Sequence, residues 1–421
     1  MILNQKFFYG WVIVALAFIS IITYGLFYSY SAFLVPLEAD LGVTRAAISA
    51  VYTVYMIVYS LCAIPMGLLC DKFGPQKTLW LAALLIGTGI ILSGFSTSVW
   101  QLSLFFGVIA AIGHGAIFVV PISTINRWFV KRRGLAVGIA TCGLGFGLLV
   151  VPPIATRLIA LYSWRNAFII LGVAFLIING IVGFLLKGKP RDRGLQPLGW
   201  AEANIFPVRN LPDQRDFRVT EALMTRAFWM LFLVSLLCFA GEQMVLVHII
   251  PYGDTIGIPA AQASLGLSAL GIGTIMGRVS TGALSDRIGR VPTLIMSCVI
   301  EAGAIFYLLA IKDTTALYLT MLILGFGYGS WVVLCSVSLG DFFGLKNLGM
   351  ILGIWFAGGV PSGVLGPLLG GIFYDMTGGY FGAFLIAGII CVVAAILSAL
   401  VKPPEKATGV LKESPAPEAK I

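Results

Sequence analysis

The chain has 421 residues, of which 59% are hydrophobic and 11% are charged, and its net charge is +9. Soluble domains carry about 25% charged residues, so this composition excludes a disordered chain and a soluble nucleic-acid-binding protein. It is typical of an integral membrane protein. The first apolar run begins at Phe8 and is too long for a cleavable secretory signal peptide.

Twelve apolar runs follow one another along the chain, each of a length that suits a membrane-spanning helix of about 20 residues. They cover residues 9–36, 46–69, 78–95, 100–124, 134–159, 166–186, 226–251, 262–283, 292–311, 315–339, 347–371 and 379–401. One long polar segment, rich in proline and basic residues, separates the sixth run from the seventh. The pattern predicts an all-α membrane protein with twelve transmembrane helices in two pseudo-symmetric six-helix bundles.

We assign the N-terminal bundle to residues 1–186, a cytoplasmic linker to 187–225, the C-terminal bundle to 226–401 and a cytoplasmic tail to 402–421. With the N-terminus in the cytoplasm, 22 of the 27 Lys and Arg residues lie on the cytoplasmic side, four lie outside, and Arg278 falls within the eighth run. Basic residues concentrate on the cytoplasmic side of membrane proteins. We therefore expect both termini in the cytoplasm and a multi-pass protein of the plasma membrane, of the bacterial inner-membrane type.

An internal repeat relates the two halves at an offset of 215 residues. The loop after the second run reads GLLCDKFGPQK, and the loop after the eighth reads GALSDRIGR. The matched positions are Gly67, Asp71 and Lys72 in the first half and Gly282, Asp286 and Arg287 in the second. Parallel six-helix repeats characterise a transporter architecture that binds its substrate near the membrane midplane, between the halves.

These six matched residues suit a tight turn between two helices at the membrane surface. Glycine lets the helix ends approach closely. The Asp is expected to favour the N-terminus of the helix that follows it, while the Lys or Arg contacts lipid headgroups and pairs with the Asp. A structural gating motif and a basic loop that only fixes topology both agree with this pattern, and the duplication favours the gating motif.

Several stretches resemble a known family. The GxxxD(R/K)xG(R/K) loop in both halves resembles the signature of the major facilitator superfamily. FFYGW (residues 7–11) and RWFVKRRGLAVGIATCG (127–143) are similar to segments of the monocarboxylate transporter family. DFFGLKNLGMILG (341–353) is shared in style with that family and with its oxalate/formate antiporter relatives. The resemblance covers essentially the whole membrane region and implies the major facilitator fold.

Arg278 is the basic residue that the topology leaves inside a membrane span, near the cytoplasmic end of the eighth run. An arginine keeps its proton, so at this depth it needs an anion or water. Its planar guanidinium matches a carboxylate through two parallel hydrogen bonds, although it can also extend towards the inner headgroups. Its position fits the family's helix-8 arginine, to which the resemblance assigns carboxylate binding.

The charge of the expected cavity favours a singly charged substrate. The repeat places Ala63 opposite Arg278, so the first half supplies no matching cation. The dicarboxylate antiporter relatives have a Lys in helix 11, where residues 354–363 of this chain read IWFAGGVPSG. Some monocarboxylate transporters have an Asp one turn before the arginine, a position that is Thr274 in this chain. One buried cation favours a monocarboxylate over oxalate, and a coupling proton needs another carrier.

Glu242, past the midpoint of the seventh run, is the first candidate for that proton-coupling residue. An acid at this depth needs a proton or a partner. Glu242 lies about 13 Å from Arg278 along the membrane normal, at about 1.5 Å per residue, so we expect no direct salt bridge. A neutral acid bonded to the backbone is the alternative. Glu301, in the ninth run, is assigned to helix packing and left out of the site.

Two histidines and two tyrosines complete the candidate site. His114 in the fourth run and His248 in the seventh are suited to donating a hydrogen bond to a carboxylate or to carrying a proton. A hydrogen bond between helices is the alternative for each. Tyr28 and Tyr328 are expected to bond a substrate oxygen while their rings cover an aliphatic tail, although a tyrosine also serves as an interfacial anchor. The expected substrate-binding set is Arg278, Tyr28, Tyr328, His114 and His248.

The seven cysteines stand singly in or beside the apolar runs, without a CxxC motif, and indicate small packing residues rather than disulfides or metal ligands. We expect no cofactor and no metal. The chain also lacks a catalytic motif such as HExxH or GxSxG, so we do not expect an enzyme.

The resemblance implies a secondary active transporter that carries a small monocarboxylate, such as lactate or pyruvate, together with a proton by alternating access. Its expected partners are that substrate, protons and the lipid bilayer, without nucleic acid, and we expect a monomer. A carboxylate antiporter of the oxalate/formate type on the same fold is the alternative. A non-transporting membrane sensor is more remote, because the longest loop is too short to be a sensory domain.

Overall fold

Twelve helices, α1 to α12, match the twelve predicted apolar runs in order. The computed structural model describes residues 8–43, 45–200 and 216–404, without the side chains of a few positions in these ranges. The helices are α1 (Gly10–Ile22 and Gly25–Leu41), α2 (Arg45–Phe73), α3 (Pro75–Ser93), α4 (Val99–Leu102 and Ala111–Trp128, joined by the π-helical Ser103–Ala110), α5 (Arg133–Tyr162), α6 (Trp164–Leu185), α7 (Arg226–Thr255), α8 (Ala260–Ile288), α9 (Arg290–Leu308), α10 (Thr314–Phe343), α11 (Leu348–Ala357 and Gly359–Thr377) and α12 (Phe381–Ala399).

The predicted all-helical membrane fold is confirmed. The described ranges contain no β-strand, and one isolated bridge pairs Phe129 with Leu198. The runs fold as helices because backbone N–H and C=O groups in hydrocarbon have to bond within their own segment. The largest boundary difference is at the end of α11, which we predict at residue 371 and which the structure places at Thr377.

One helix is less apolar than the others. Among the described residues, eleven helical spans are long and apolar enough to cross a membrane. The sequence of α8, which has 29 residues, is rich in Gly and Ser and carries Arg278. The least apolar helix is thus the one that holds the candidate cation.

The first six helices contact the last six along two helix–helix interfaces, which we call seams. In the first, α5 lies antiparallel to α8, and the two backbones touch where α5 begins. A Cβ at Gly134 would collide with the carbonyl of Gly282, and one at Gly138 with that of Arg278. Further along, a Cβ at Gly271 would meet only a Leu148 methyl group, at 3.9 Å. The α5–α8 seam is therefore tight at one end and wider at the other.

The second seam, between α2 and α11, narrows towards the same end. A Cβ at Gly67 would collide with the Gly349 carbonyl, and one at Gly353 with the Ala63 carbonyl. Farther along α11, a Cβ at Gly363 would have no atom within 4 Å. Small residues permit this close backbone approach. We call the tight end, where α2, α4, α8 and α10 finish and α5, α9 and α11 begin, the ion-pair end.

The duplicated loops have the same backbone conformation at their repeat-equivalent glycines. Gly74, between α2 and α3, has φ 86° and ψ 160°, and Gly289, between α8 and α9, has φ 99° and ψ 162°. An L-residue with a side chain rarely adopts such positive φ values. Both loops therefore require glycine at this position, which explains its place in the repeated motif.

The described parts of the linker contact the ends of α4 and α10, which are equivalent in the repeat and lie at the ion-pair end. Leu198 N donates to Trp128 O at 3.0 Å and Leu198 O accepts from Lys131 N at 2.9 Å, after α4. On the other side, Phe217 N donates to Phe343 O at 3.0 Å, at the end of α10. Trp128 and Phe343 are 215 residues apart, the offset of the repeat. The linker thus contacts both halves through main-chain hydrogen bonds.

Candidate functional site

Arg278 lies in the α5–α8 seam with its side chain fully buried. Its Nη1 donates to the carbonyl of Thr141 on α5 at 2.6 Å. Its Nε and Nη2 atoms have no hydrogen-bond partner. These two nitrogens form one edge of the guanidinium, the edge that can bind both oxygens of a carboxylate in parallel. An arginine keeps its charge when buried, so this edge has the chemistry to bind an anion.

Tyr328 on α10 covers Arg278 from one side. The guanidinium carbon lies 5.8 Å from the centre of the Tyr328 ring, within the range of a cation–π contact. The same ring lies 5.9 Å from the Trp331 ring and 6.5 Å from the Phe239 ring. The structure thus brings together two of the predicted site residues, with an aromatic wall beside the cation.

Glu242 on α7 is buried, with 1% of its surface exposed, and its Oε2 atom has no hydrogen-bond partner. The ion pairs among the described residues do not include one between Glu242 and Arg278. Glu242 is therefore a buried acid without a direct basic partner in the described part of the chain.

His114 on α4 lies in an aromatic cluster of the first six helices. Its ring is fully buried and interacts with the backbone of Thr23 and Ala110. The ring centres of Tyr24 on α1 and Tyr55 on α2 lie 5.8 Å and 5.7 Å from that of His114. The Tyr55 hydroxyl is buried without a hydrogen-bond partner. The first six helices thus supply a phenol with unused hydrogen-bonding capacity beside a buried imidazole.

The other two predicted substrate contacts differ in their surroundings. His248 Nε2 lies 3.0 Å from the carbonyl of Pro367 on α11, and its ring is 5.3 Å from the Tyr380 ring. These contacts tie α7 to α11, which is the interhelical role, and they do not bring His248 to Arg278. Tyr28 lies in the second segment of α1, and its side chain is outside the described part of the structure.

The first motif aspartate crosses the seam instead of capping the helix that follows it. Asp71 accepts from Gly349 N at 3.1 Å and from Met350 N at 2.9 Å, at the start of α11. It also pairs with Arg127 of α4 at 2.8 Å. The expectation that Asp71 favours the following helix, α3, and pairs with Lys72 is therefore wrong. Lys72 lies instead 5.3 Å from the Phe73 ring centre.

The second motif aspartate makes the reciprocal contact. Asp286 on α8 accepts from Gly134 N at 3.0 Å and from Leu135 N at 3.1 Å, at the start of α5. Its arginine partner is Arg290, at 2.7 Å, whereas we expected the adjacent Arg287. Each aspartate lies in the last turn of its helix and faces the seam, where backbone N–H groups of a helix N-terminus attract a carboxylate.

A buried ion pair that the sequence does not reveal also joins the two halves at this end. Asp341, on α10, binds both Arg133, on α5, and Arg290, the latter at 2.9 Å. Arg133 is 1% exposed. In the sequence, Arg133 is only one of several basic residues that indicate the topology. One signal in the sequence points to the Arg133–Asp341 pair, namely that Asp341 is an acidic residue on the strongly basic side of the protein.

The comparisons with known proteins agree with the fold. The family described as Major Facilitator Superfamily matches residues 16–280 and 231–420. Monocarboxylate transporter 12 of Rattus norvegicus is 27% identical over 94% of this chain and 85% of its own length. The oxalate:formate antiporter of Oxalobacter formigenes is 26% identical, over 96% and 93% of the two chains.

Solved structures share the fold at low sequence identity. The proton:xylose symporter XylE superposes with a TM-score of 0.72 at 17% identity, covering 94% of this chain and 96% of that one. The E. coli fucose:proton symporter FucP gives a TM-score of 0.70 at 14% identity, covering 93% and 99%. The chain, a multi-pass membrane transporter and not an enzyme, belongs to the Major Facilitator Superfamily.

Proposed function

We propose that this chain carries a small monocarboxylate of the lactate and pyruvate class together with a proton, by alternating access. The observation that carries the proposal is the buried guanidinium of Arg278, of which one edge has no partner. A carboxylate supplies both the missing charge and two acceptors for that edge. The likeness to proteins named monocarboxylate transporters supports the same substrate class.

The two six-helix units, residues 1–186 and 226–401, are the bodies that move in this proposal. The ion-pair end faces the cytoplasm, because most basic residues lie there and basic residues favour the cytoplasmic side. Both termini are then cytoplasmic, and the protein works as a monomer in the plasma membrane, of the bacterial inner-membrane type. With the seams tight at the ion-pair end and wider beyond it, the cavity opens to the outside.

Substrate binding and closure are linked through the charge of Arg278. The substrate carboxylate docks on Nε and Nη2, while Nη1 keeps its bond to Thr141 on the facing helix. Closing a cavity around an uncompensated charge is costly, so the anion lowers the free energy of the closed state. The Tyr328 ring covers the aliphatic part of the substrate, and His114 offers a donor from the opposite side.

The coupling proton resides on Glu242 in this proposal. Its carboxyl group is buried, lacks a partner on Oε2 and senses the charge of Arg278. A substrate anion that neutralises Arg278 removes the field that stabilises a Glu242 carboxylate, so anion binding favours proton binding. Symport of one anion with one proton leaves the net charge of the cavity unchanged.

A second candidate is exchange of carboxylates, as the name of the Oxalobacter relative indicates for that protein. The two mechanisms differ in what drives uptake. A symporter accumulates labelled substrate in empty liposomes under an inward proton gradient. An antiporter needs liposomes preloaded with oxalate or formate and takes up label without a gradient. The described part of α8 contributes one buried arginine, Arg278, and a single cation fits a mono-anion better than a dianion.

The test is uptake of labelled L-lactate and pyruvate into proteoliposomes under an inward proton gradient. Removing one partner of a buried, hydrogen-bonded charge pair costs about 2–5 kcal/mol. Arg278→Ala and Arg278→Lys should therefore lower substrate affinity or uptake by about 30-fold or more, because Lys cannot offer two parallel donors.

Arg157→Ala is the matched control, since Arg157 lies on α5 with an exposed side chain. It should keep the uptake of the wild type. Full uptake by Arg278→Ala would remove Arg278 from the site. If no acid of two to four carbons is taken up faster under the gradient, the proposed symport itself is wrong.

A further inference from the structure

Three cysteines that are far apart in the sequence meet within the last six helices. Cys238 lies on α7, Cys298 on α9 and Cys391 on α12, and all three are fully buried. Cys238 Sγ and Cys298 Sγ are 3.6 Å apart. The ligand atoms of Cys238, Cys391 and Glu301 lie within 4.8 Å of one another. We call these four residues the thiol–carboxyl cluster.

Glu301 is the member of the cluster that needs an explanation. It lies on α9 and is fully buried, and among the described residues it has no basic partner, although the Cys238 thiol interacts with its carboxyl group. Buried acids in membrane proteins are costly and are normally paired or bonded. The α5–α8 seam that holds Arg278 does not include α9, and of the proposed transport residues Glu242 interacts electrostatically with Glu301. The other atoms around the carboxyl group include the sulfurs of the three cysteines.

We propose that the thiol–carboxyl cluster binds a thiophilic divalent metal ion of the zinc type. The Sγ atoms of Cys238 and Cys391 and a carboxylate oxygen of Glu301 make three ligands within 4.8 Å of one another, the number of protein ligands in a zinc site with an open fourth position. With Zn–S bonds of about 2.3 Å, two sulfurs of a tetrahedral site lie about 3.8 Å apart. Cys298 Sγ lies 3.6 Å from Cys238 Sγ and places a further sulfur beside this set.

A dication also changes the charge of this apolar position. Metal binding requires deprotonated ligands and releases protons. Loss of one proton each from Cys238, Cys391 and Glu301 gives three anionic ligands around the two positive charges of the metal. The metal thus offsets two of the three negative charges, and buried charges are tolerated where they coordinate a metal.

The consequence is a fixed link between α7, α9 and α12. These helices meet in the last six-helix unit, away from the two seams. The sequence predicts only a packing role for these cysteines, because their spacing along the chain does not show that α7, α9 and α12 meet. Metal binding does not depend on the transported substrate, so this proposal can fail while the proposed function holds, and the reverse.

Titration of the purified, reduced full-length protein with CdCl2 tests the proposal. A thiolate–cadmium charge-transfer absorption should rise to one equivalent per chain, and ZnCl2 should reverse it. Glu301→Gln and Cys391→Ser should each weaken cadmium binding by about tenfold or more. Cys70→Ser, at a buried cysteine of α2, should leave binding unchanged. Circular dichroism and a monodisperse elution profile show whether each variant is folded.

X-ray absorption of the zinc-loaded wild type keeps the test decisive if the cluster variants do not fold. It should show two or three sulfur ligands and one lighter ligand at zinc. An all-nitrogen and oxygen shell, the absence of the charge-transfer band, or equal weakening by Cys70→Ser would each overturn the proposal. A Cys238–Cys298 disulfide in the protein as isolated under reducing conditions would also overturn it.

Discussion

Arg278 combines two properties that rarely coincide in one buried side chain. One nitrogen is committed to the carbonyl of Thr141 across the α5–α8 seam, and the opposite edge is uncommitted. The bond to Thr141 fixes the orientation of the guanidinium, and the uncommitted edge leaves the guanidinium able to bind an anion. In the proposed mechanism, the residue therefore links substrate occupancy to the contact between the two halves of the molecule.

Glu242 gives the first prediction at the scale of single residues. In Glu242→Gln the side chain keeps its size and stays neutral, so it no longer exchanges a proton. We expect uptake of labelled substrate to lose its stimulation by an inward proton gradient, while exchange between equal internal and external substrate continues. Both rates can be measured in the same proteoliposome preparation.

Asp254→Asn serves as the control for Glu242→Gln. Asp254 lies on the same helix, α7, with an exposed side chain, so its neutralisation should leave gradient-driven uptake intact. If Glu242→Gln retained full stimulation by the gradient, the coupling proton would have to reside elsewhere, with His114 the next candidate among the described residues.

The sequence identifies the charged residues of this site but not their partners. Depth in an apolar run is enough to single out Arg278 and Glu242. The bond to Thr141 and the contacts of His248 with Pro367 depend on which helices become neighbours. That information lies in the packing of distant segments, so it cannot be obtained from hydropathy or spacing.

At the scale of helices, the glycines of α11 give a matched pair for a test of the seams. Gly353 lies against the Ala63 backbone, whereas Gly363 has open space around it. Overpacking a tight interface costs about 1–3 kcal/mol. We therefore expect Gly353→Val to shift the balance between closed and open ion-pair ends by about 5- to 150-fold, and Gly363→Val to leave it unchanged.

Spin labels on cysteines introduced at Lys72 and Lys346 measure this shift. Both lysines are exposed at the ion-pair end, one in each half. Cys62→Ser removes the native cysteine that is only partly buried. The distance distribution should broaden to longer distances in Gly353→Val alone. Equal distributions in the two glycine variants would show that the α2–α11 seam does not limit closure.

The helices themselves were accessible to prediction, and the linker contacts were not. A long apolar run has few alternatives to a helix in a membrane, which is why all twelve were located. The Asp216 side chain, by contrast, accepts from Leu345 N at 2.9 Å and Lys346 N at 3.0 Å. Nothing in the local composition distinguishes this aspartate from those of an unattached linker.

At the scale of the whole molecule, each half contributes an aspartate that binds the other half at the ion-pair end. Asp71 of the first half binds the start of α11, and Asp286 of the second half binds the start of α5. Each contact joins a carboxylate to backbone N–H groups at a helix N-terminus, and each also has an arginine partner. The duplicated motif therefore holds the two halves together by two equivalent contacts.

The Arg133–Asp341 pair adds a third contact, and its removal provides the last prediction. Asp341 retains Arg290 in Arg133→Gln, so no buried charge is left alone. The variant then loses one charged hydrogen bond between the halves, which contributes a free energy of about 1.5–3 kcal/mol. We expect the labels at Lys72 and Lys346 to move apart in this variant, which means that the ion-pair end opens more often.

Arg132→Gln is the appropriate comparison, because Arg132 is adjacent in sequence but exposed. It should leave the label distances unchanged and thereby separate the pair from a general loss of positive charge. Repeating the distance measurement in added salt separates the effect of the buried pair from that of general charge, since salt screens exposed charges and hardly acts on a buried pair. If Arg133→Gln and Arg132→Gln gave the same distances, the two reciprocal aspartate contacts alone would hold the ion-pair end closed, and the buried pair would serve the folding of α5 against α10 instead.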